Sequence, residues 1–182
     1  MNKIEEIDLV LGNNEKNNIV EITENFQNEK QKDVGATIGR PTRNDLITQN
    51  KINVSDISKQ KEFLDFGDTI FTEKSRAVVK VQDGCDNFCS YCIIPYAKGR
   101  VRSRKIENII SEITKIVHKG IKEVVITGIH IASYGKDFKD GTTLIDLLEE
   151  INKIEDLKRI RLRFFRTKDN HKGFCKKTKT IR

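Results

Sequence analysis

Residues 77–162 alternate between β-branched runs and amphipathic runs, and this alternation constrains the fold more than any other feature of the sequence. Residues 77–81 and 123–127 are apolar, β-branched runs that are each followed by glycine, which is typical of buried strands. Residues 158–162 are predicted to form a third strand. Two helical patterns separate the three runs, so the sequence predicts a βαβαβ unit with right-handed crossovers, as found in parallel sheets and barrels.

Both predicted helices have a continuous apolar stripe. The first is expected to have Ser103 as its N-cap and to end at Gly120. The second follows a loop through Gly135 and Gly141. The stripe residues, at the i, i+3, i+4 spacing of a helix packed on a sheet, are Ile106, Ile109, Ile110, Ile113, Ile116 and Val117 in the first, and Leu144, Leu147, Leu148, Ile151 and Ile154 in the second.

The residues before this unit are organised differently. Residues 7–11 predict a strand, and residues 18–26 predict a helix after the turn at residues 12–14. Residues 31–74 are polar and lack a sustained apolar period, so they are interpreted as a linker with local pairing and a strand at residues 68–71. One strand and one helix bury too little apolar surface to form a core alone.

The positive charge of the chain lies in its last residues. Residues 1–74 contain 10 Lys and Arg against 14 Asp and Glu, a net −4, and residues 75–157 contain 13 against 12, a net +1. Residues 158–182 contain 11 against 1, which is a net +10. A general argument for RNA binding from charge is therefore an argument about one tail. The sequence also contains no membrane span or signal peptide, so the expected location is the cytoplasm.

Three of the four cysteines lie in the loop that follows the first predicted strand. Cys85, Cys89 and Cys92 have the spacing C-x3-C-x2-C. Three thiolates on one short loop can hold three irons of a cubic four-iron cluster and leave the fourth iron without a protein ligand. The alternative is a structural zinc ion with a distant fourth ligand, for which the candidates are His118, His130 and Cys175. Structural zinc sites generally use a second ligand pair, which this sequence lacks.

Two stretches, residues 80–100 and 127–135, carry a family resemblance. They read KVQDGCDNFCSYCIIPYAKGR and TGIHIASYG, and they resemble the radical S-adenosylmethionine (SAM) domain of the tRNA methylthiotransferases. The second stretch favours the subgroup that modifies threonylcarbamoyladenosine at tRNA position 37. The resemblance covers about residues 1–162 and implies one [4Fe-4S] cluster, with SAM as radical source and methyl donor, and tRNA as the substrate.

The resemblance also implies roles for individual residues. Cys85, Cys89 and Cys92 are expected to hold the cluster. Tyr91 is expected near the adenine of SAM, the alternative being an aromatic ring packed beside the cluster. Gly128 is expected beside the methionine part of SAM, the alternative being a plain strand-to-loop turn. The basic side chains downstream, which either contact tRNA phosphates or are simply solvated, are Lys98, Arg100, Arg102 and Arg104.

Comparison with the family also suggests that the chain is a fragment. No cysteine precedes Cys85, whereas the family has a second, sulfur-supplying cluster held by three cysteines of an N-terminal domain. The expected fold is a partial (β/α) barrel of about two and a half βα units in residues 75–162, preceded by a remnant of an N-terminal α/β domain in residues 1–30. These residues alone are expected to lack methylthiotransferase activity.

The basic tail, residues 163–182, departs abruptly from the family pattern. A permitted set of A/T-rich codons for these residues, read one nucleotide later, spells the GSLEP motif that the family has at this point. We therefore interpret the tail as an out-of-frame product, which resequencing the gene would test. Other interpretations of the whole chain are an iron–sulfur module of different specificity, a structural zinc protein, or a basic RNA-binding protein.

Overall fold

The computed structural model describes residues 7–34, 51–65 and 75–163 of the chain. The chain divides into two compact units, residues 1–57 and residues 58–182. The strand predicted at residues 68–71 and nearly all of the basic tail lie outside the described residues. Within the described ranges, no helix is both long and apolar enough to cross a membrane.

The first unit pairs two short strands. Strand β1 (Leu9–Leu11) is parallel to strand β2 (Lys51–Asn53), and helix α1 (Ile19–Val34) lies between them along the chain. The predicted strand and helix are confirmed, although the helix continues beyond Phe26. Strand β2 falls within the stretch that the sequence analysis interprets as a linker, so this stretch contributes at least one paired strand.

The second unit is built on a four-stranded sheet in which three strands are parallel. The strand order is β4-β3-β5-β6, and only the short edge strand β4 is antiparallel to its neighbour. The predicted α/β fold with parallel strands is confirmed. The elements, in chain order, are β3 (Ala77–Asp83), α2 (Ile94–Lys98), β4 (Arg102–Ser103), α3 (Ile106–His118), β5 (Glu123–Gly128), α4 (Leu144–Asn152) and β6 (Arg159–Leu162).

Helices α3 and α4 form one apolar core with β3 and β5, as their stripes predict. The core residues without exposed surface are Val79, Val81, Ile109, Ile113, Ile116, Val124, Ile126, Ile131, Leu147 and Ile151. On β3 the alternate residues Val78 and Lys80 are exposed, so the strand buries one face, as the two-residue period of a strand requires. The sheet therefore has one covered face and a second face that carries charged and polar side chains.

The predicted N-cap of α3 is wrong. Helix α3 begins at Ile106 with Lys105 at the N-cap position, and no side chain caps it. Ser103 lies in β4 instead, where its backbone N–H and hydroxyl both donate to the carboxylate of Asp137, at 2.8 and 2.5 Å. Ser103 therefore bonds to a residue 34 positions away in the sequence instead of capping the helix that follows it.

Thr143 caps helix α4 through a reciprocal pair of hydrogen bonds with Asp146. The Thr143 Oγ1 atom accepts from the Asp146 backbone N–H at 3.5 Å, and the Asp146 carboxylate accepts from the Thr143 backbone N–H at 2.7 Å. We expect Thr143→Ala to lower the free energy of unfolding by about 1 kcal/mol in urea denaturation, because a helix N–H loses its acceptor. Thr143→Ser keeps the hydroxyl and is the control; an equal loss in both variants would contradict the cap.

Candidate metal centre

The cysteine loop begins and ends at one point of the structure, the carboxyl end of β3. The backbone N–H of Cys85 donates to the carbonyl of Gly99 at 3.1 Å, so the two ends of the loop are joined. Gly84 has a φ of +70°, and a Cβ atom built on it would lie 1.8 Å from the carbonyl oxygen of Arg100. A side chain at residue 84 is therefore excluded both by backbone conformation and by space.

The three cysteines differ in exposure along the loop. Cys85 is buried at the base, whereas Cys89 and Cys92 are half-buried, and all three are free thiols. The Cys92 N–H donates to the Cys89 carbonyl at 2.9 Å, which forms a tight turn between these two cysteines. Phe88, just before this turn, has a φ of +44°, a conformation uncommon for a residue with a side chain.

Three thiols on one loop are a donor set that suits a four-iron cluster, in which each thiolate binds a different iron. A single tetrahedral zinc ion would instead need sulfur ligands about 3.8 Å apart, given Zn–S bonds of about 2.3 Å. Among residues 7–34, 51–65 and 75–163, no three His, Cys, Asp or Glu side chains lie close enough together to hold one metal ion. The loop therefore provides suitable ligands without a preassembled single-ion site.

Aromatic side chains dominate the outer part of the loop. Tyr91 is 88% exposed, and its expected contact with the cofactor stays a prediction. Phe88 packs edge-to-face on Tyr96, with ring centroids 5.6 Å apart. The guanidinium of Arg100 lies 4.6 Å from the Phe88 ring centroid and 3.6 Å from the Asp86 carboxylate. Local contacts of this kind hold the outer loop through surface groups rather than through core packing.

Gln82 connects the cysteine loop to the loop that follows β5, a role that the sequence analysis missed. Its side chain is fully buried, and its Nε2 donates to the carbonyls of Asp83 and Gly84, both at 2.7 Å. Its Oε1 accepts from the backbone N–H of His130 at 2.8 Å. One amide thus satisfies three backbone groups on two loops. The sequence signal that could have indicated this role is an uncharged polar residue near the end of a strongly apolar strand.

Gly128 packs directly against Gln82. A Cβ atom at Gly128 would lie 2.8 Å from Gln82 Oε1 and 2.9 Å from the Gln82 carbonyl oxygen. The register between β3 and β5 also shifts at this point, between Lys80 and Gln82. The close approach gives a structural reason for glycine here that is independent of any cofactor, and the expected contact with SAM stays a prediction.

The interpretation of Arg102 and Arg104 as tRNA-contacting or solvated side chains is wrong, because both are buried. Arg104 forms an ion pair with Glu112 in α3, and its Nε donates to Asp65 at 2.6 Å. Burial alone would lower the pKa of Arg104, but the hydrogen bonds to Glu112 and Asp65 outweigh it and raise the pKa. Two of the four downstream basic side chains are therefore interior groups, while Arg100 is exposed.

Arg102 has less complete pairing than Arg104. Its Nη2 donates to the Lys98 carbonyl at 2.7 Å and lies 3.8 Å from the Asp83 carboxylate. Burial lowers the pKa of Arg102, and the charge of Asp83 opposes this shift. The guanidinium nevertheless stays charged at neutral pH, because arginine in proteins does not lose its proton.

A second set of hydrogen bonds fixes β4 against the loop after β5. Ser103 Oγ accepts from the Gly135 N–H at 2.8 Å, and the Tyr134 hydroxyl donates to the Arg104 carbonyl at 2.7 Å. Burial, followed by the charge of Asp137, raises the pKa of Tyr134. His130 is buried with its Nδ1 2.6 Å from Ser133 Oγ, whereas His118 is exposed at the end of α3. The first two hydrogen bonds attach the loop after β5 to β4 and to the residue that follows β4.

Comparison with known proteins identifies relatives of this arrangement. The profile of the radical SAM superfamily matches residues 79–173. The threonylcarbamoyladenosine tRNA methylthiotransferase of Aquifex aeolicus (strain VF5) is 36% identical over 174 residues, which are 96% of this chain and 38% of that protein. The enzyme of the same name from Bacillus subtilis (strain 168) is 34% identical over 156 residues, covering 86% of this chain and 31% of that protein.

A relative that is named for a different tRNA modification is similar to this chain over a shorter range. The tRNA-2-methylthio-N(6)-dimethylallyladenosine synthase of Moorella thermoacetica is 49% identical over 87 residues, covering 48% of this chain and 20% of that protein. The chain thus spans two fifths or less of the length of each of these three relatives.

Proposed function

The chain belongs to the radical SAM superfamily and is related to its tRNA methylthiotransferases, and from that premise we propose that Cys85, Cys89 and Cys92 hold one [4Fe-4S] cluster. When bound, the cluster and SAM supply one-electron cleavage of a carbon–sulfur bond. The observation that carries the proposal is a loop of three free thiols at the carboxyl end of a parallel strand. In open parallel sheets, ligands bind at that end of the strands.

The neighbouring loops support a cofactor site beside the cysteines. Gly128 ends β5 next to β3, and Gln82 joins the backbone after β5 to the backbone before Cys85. We assign Gly128 to the methionine part of SAM and the exposed Tyr91 ring to its adenine. On this proposal the cofactor lies between the fixed backbone at Gly128 and the exposed ring of Tyr91.

The sheet itself supports a partial barrel. In a (β/α) barrel, helices cover the outer face of the parallel strands, the inner face points toward the barrel axis, and the active site lies at the carboxyl ends of the strands. Here α3 and α4 cover one face, and the other face exposes Val78 and Lys80. We propose that this second face is the inner face of a barrel of which residues 75–162 form about two and a half βα units.

For the substrate we propose tRNA, with methylthiolation of N6-threonylcarbamoyladenosine at position 37. The support is the activity for which the Aquifex and Bacillus relatives are named, together with residues 127–135, which resemble that subgroup. We further propose that these 182 residues by themselves do not insert sulfur. The family resemblance implies a second three-cysteine cluster, and this sequence has one three-cysteine loop.

The first test is cleavage of SAM by the full chain. We expect the chain, reconstituted with iron and sulfide without oxygen, to convert SAM to 5′-deoxyadenosine when dithionite is added, as measured by mass spectrometry. One cluster and one SAM site suffice for that step. When tRNA is added to the same reaction, no methylthiolated tRNA is expected, because we propose that these 182 residues by themselves do not insert sulfur. A reconstituted chain that is brown but leaves SAM intact would support an iron–sulfur module of different function, and a colourless chain that holds zinc would support the structural zinc alternative.

The tRNA specificity can be tested in the context of a full-length relative. Residues 75–163 can replace the matching segment of the Aquifex relative, and the chimera can be expressed in bacteria that lack both of their own tRNA methylthiotransferases. Recovery of the 2-methylthio derivative of threonylcarbamoyladenosine in digested tRNA supports the proposal. Recovery of methylthiolated dimethylallyladenosine alone would assign the segment to the other activity.

A further inference from the structure

Arg102 is a buried cation whose hydrogen-bonding capacity is largely unused. Its side chain is 3% exposed, and of its three guanidinium nitrogens only Nη2 has an acceptor, the Lys98 carbonyl. Nε and Nη1 are fully buried and have no hydrogen-bond partner in the described part of the chain. Buried N–H groups are normally paired, since losing water without gaining an acceptor is unfavourable. The unpaired groups therefore point to an absent acceptor.

The charges around Arg102 do not balance. The Asp83 carboxylate lies 3.8 Å from Arg102 Nη2, but it also accepts from Lys80 Nζ at the shorter distance of 2.6 Å. Two cations thus share one carboxylate. The Lys80 side chain is 43% exposed and is solvated by water, whereas the charge of Arg102 is buried and only distantly paired, and a buried charge favours a nearby anion.

This spare charge lies at the base of the cysteine loop. Lys98, whose carbonyl binds Arg102, precedes Gly99, and the Gly99 carbonyl accepts from the N–H of Cys85. Asp83 is two residues before Cys85 on the other side of the base. Cys85 is also the buried member of the three thiols. Arg102 is therefore held by both ends of the loop that carries the proposed cluster ligands.

We propose that Arg102 is the counter-charge of the iron–sulfur cluster. This inference rests on the cluster proposed above. An oxidised [4Fe-4S] core held by three thiolates is an anion, because the three thiolate charges exceed the positive charge of the core. An RNA phosphate does not fit the observations, since Arg102 is buried and a phosphate in solution cannot reach it. Arg102 acts on the cluster through its charge and through the loop base, so it is a positioning residue.

The test compares Arg102→Gln with Arg76→Gln in the reconstituted full chain. Arg76 is the matched control, because it is an exposed arginine directly before β3, at the end of the strand away from the cysteine loop, and its charge is screened by water. We expect Arg102→Gln to shift the midpoint potential of the cluster to more negative values. We also expect release of iron to a chelator to become about tenfold faster, the usual effect of losing a residue that supports metal ligands. Arg76→Gln is expected to match the unmodified chain in both measurements.

Two further measurements keep the inference testable if Arg102→Gln does not fold. Arg102→Lys retains the charge, so its potential should stay near that of the unmodified chain. In the unmodified chain, hydrogen exchange at the Arg102 Nε–H, followed by NMR, should slow when the cluster is incorporated. Equal potentials in Arg102→Gln and Arg76→Gln, or unchanged Nε–H exchange, would overturn the inference.

Failure of the inference and failure of the proposed function give different results. If the unmodified chain takes up no iron, the proposed cluster itself is wrong. If the unmodified chain holds the cluster and Arg102→Gln weakens only the binding of SAM, with the potential unchanged, Arg102 faces the cofactor carboxylate and the counter-charge role is rejected.

Discussion

Replacing Cys89 and Cys92 together by serine is expected to abolish iron incorporation. The reconstituted chain should contain about four irons, and the double variant less than about a tenth of that amount, because only one of the three thiolate ligands would remain to hold the cluster. Both side chains are half-buried in a surface loop, so the free energy of unfolding of the iron-free chain should change by less than about 0.5 kcal/mol. Iron analysis, visible absorption and urea denaturation provide the three measurements.

Cys175→Ser is the matched control for this prediction. It removes a thiol that lies outside C-x3-C-x2-C, so full iron content and the brown absorption should remain. Loss of iron in Cys175→Ser equal to the loss in the double variant would indicate a fourth protein ligand and would contradict the open iron. Full iron content in the double variant would remove the proposed site altogether.

Replacing Gln82 by leucine is expected to lower the free energy of unfolding by about 2–4 kcal/mol, from the loss of three hydrogen bonds to backbone groups in a buried region. Leucine has a similar size, so the loss reflects unpaired polar groups rather than a cavity. The Asp83 and Gly84 carbonyls lose their donor, and the His130 N–H loses its acceptor. Urea denaturation of the iron-free chain measures the change without any contribution from the cluster.

Gln60→Leu is the control for Gln82→Leu. Gln60 also donates from its Nε2 to a backbone carbonyl, that of Glu62 at 3.1 Å, but in an exposed position where water can replace the bond. Its expected effect is below about 0.5 kcal/mol. A Gln82→Leu variant as stable as Gln60→Leu would show that Gln82 does not connect the two loops energetically.

The alternation of strands and helices in the second unit was predictable because its signal is local. Buried strands and amphipathic helices have different apolar periods, and the stripe from Ile109 to Ile116 fixes both the type and the inner face of α3. Glycines at residues 84 and 120 mark places where the chain adopts positive φ. The cysteine spacing is equally local, so the candidate ligands were found without knowledge of the fold.

The missed features depend on partners that are distant in sequence. Arg104 is buried because Asp65, 39 residues earlier, and Glu112 both reach it, and no pattern around Arg104 indicates this. Serine is a residue type that often caps helices, but Ser103 lies in strand β4 and bonds to Asp137 instead. Gln82 likewise acquires its role only when β5 places His130 beside it. Side-chain contacts with other elements and loops, which the local sequence does not reveal, determine these three positions.

The closed base of the cysteine loop predicts that the proposed cluster can be installed after the polypeptide has folded. With the Cys85 N–H bound to the Gly99 carbonyl, the residues between them form a loop whose two ends are already fixed. Movement of the cysteine side chains during iron delivery would then be confined to this loop and would leave the strand pairing intact. Little loop-closure entropy would remain to be overcome when the cluster forms.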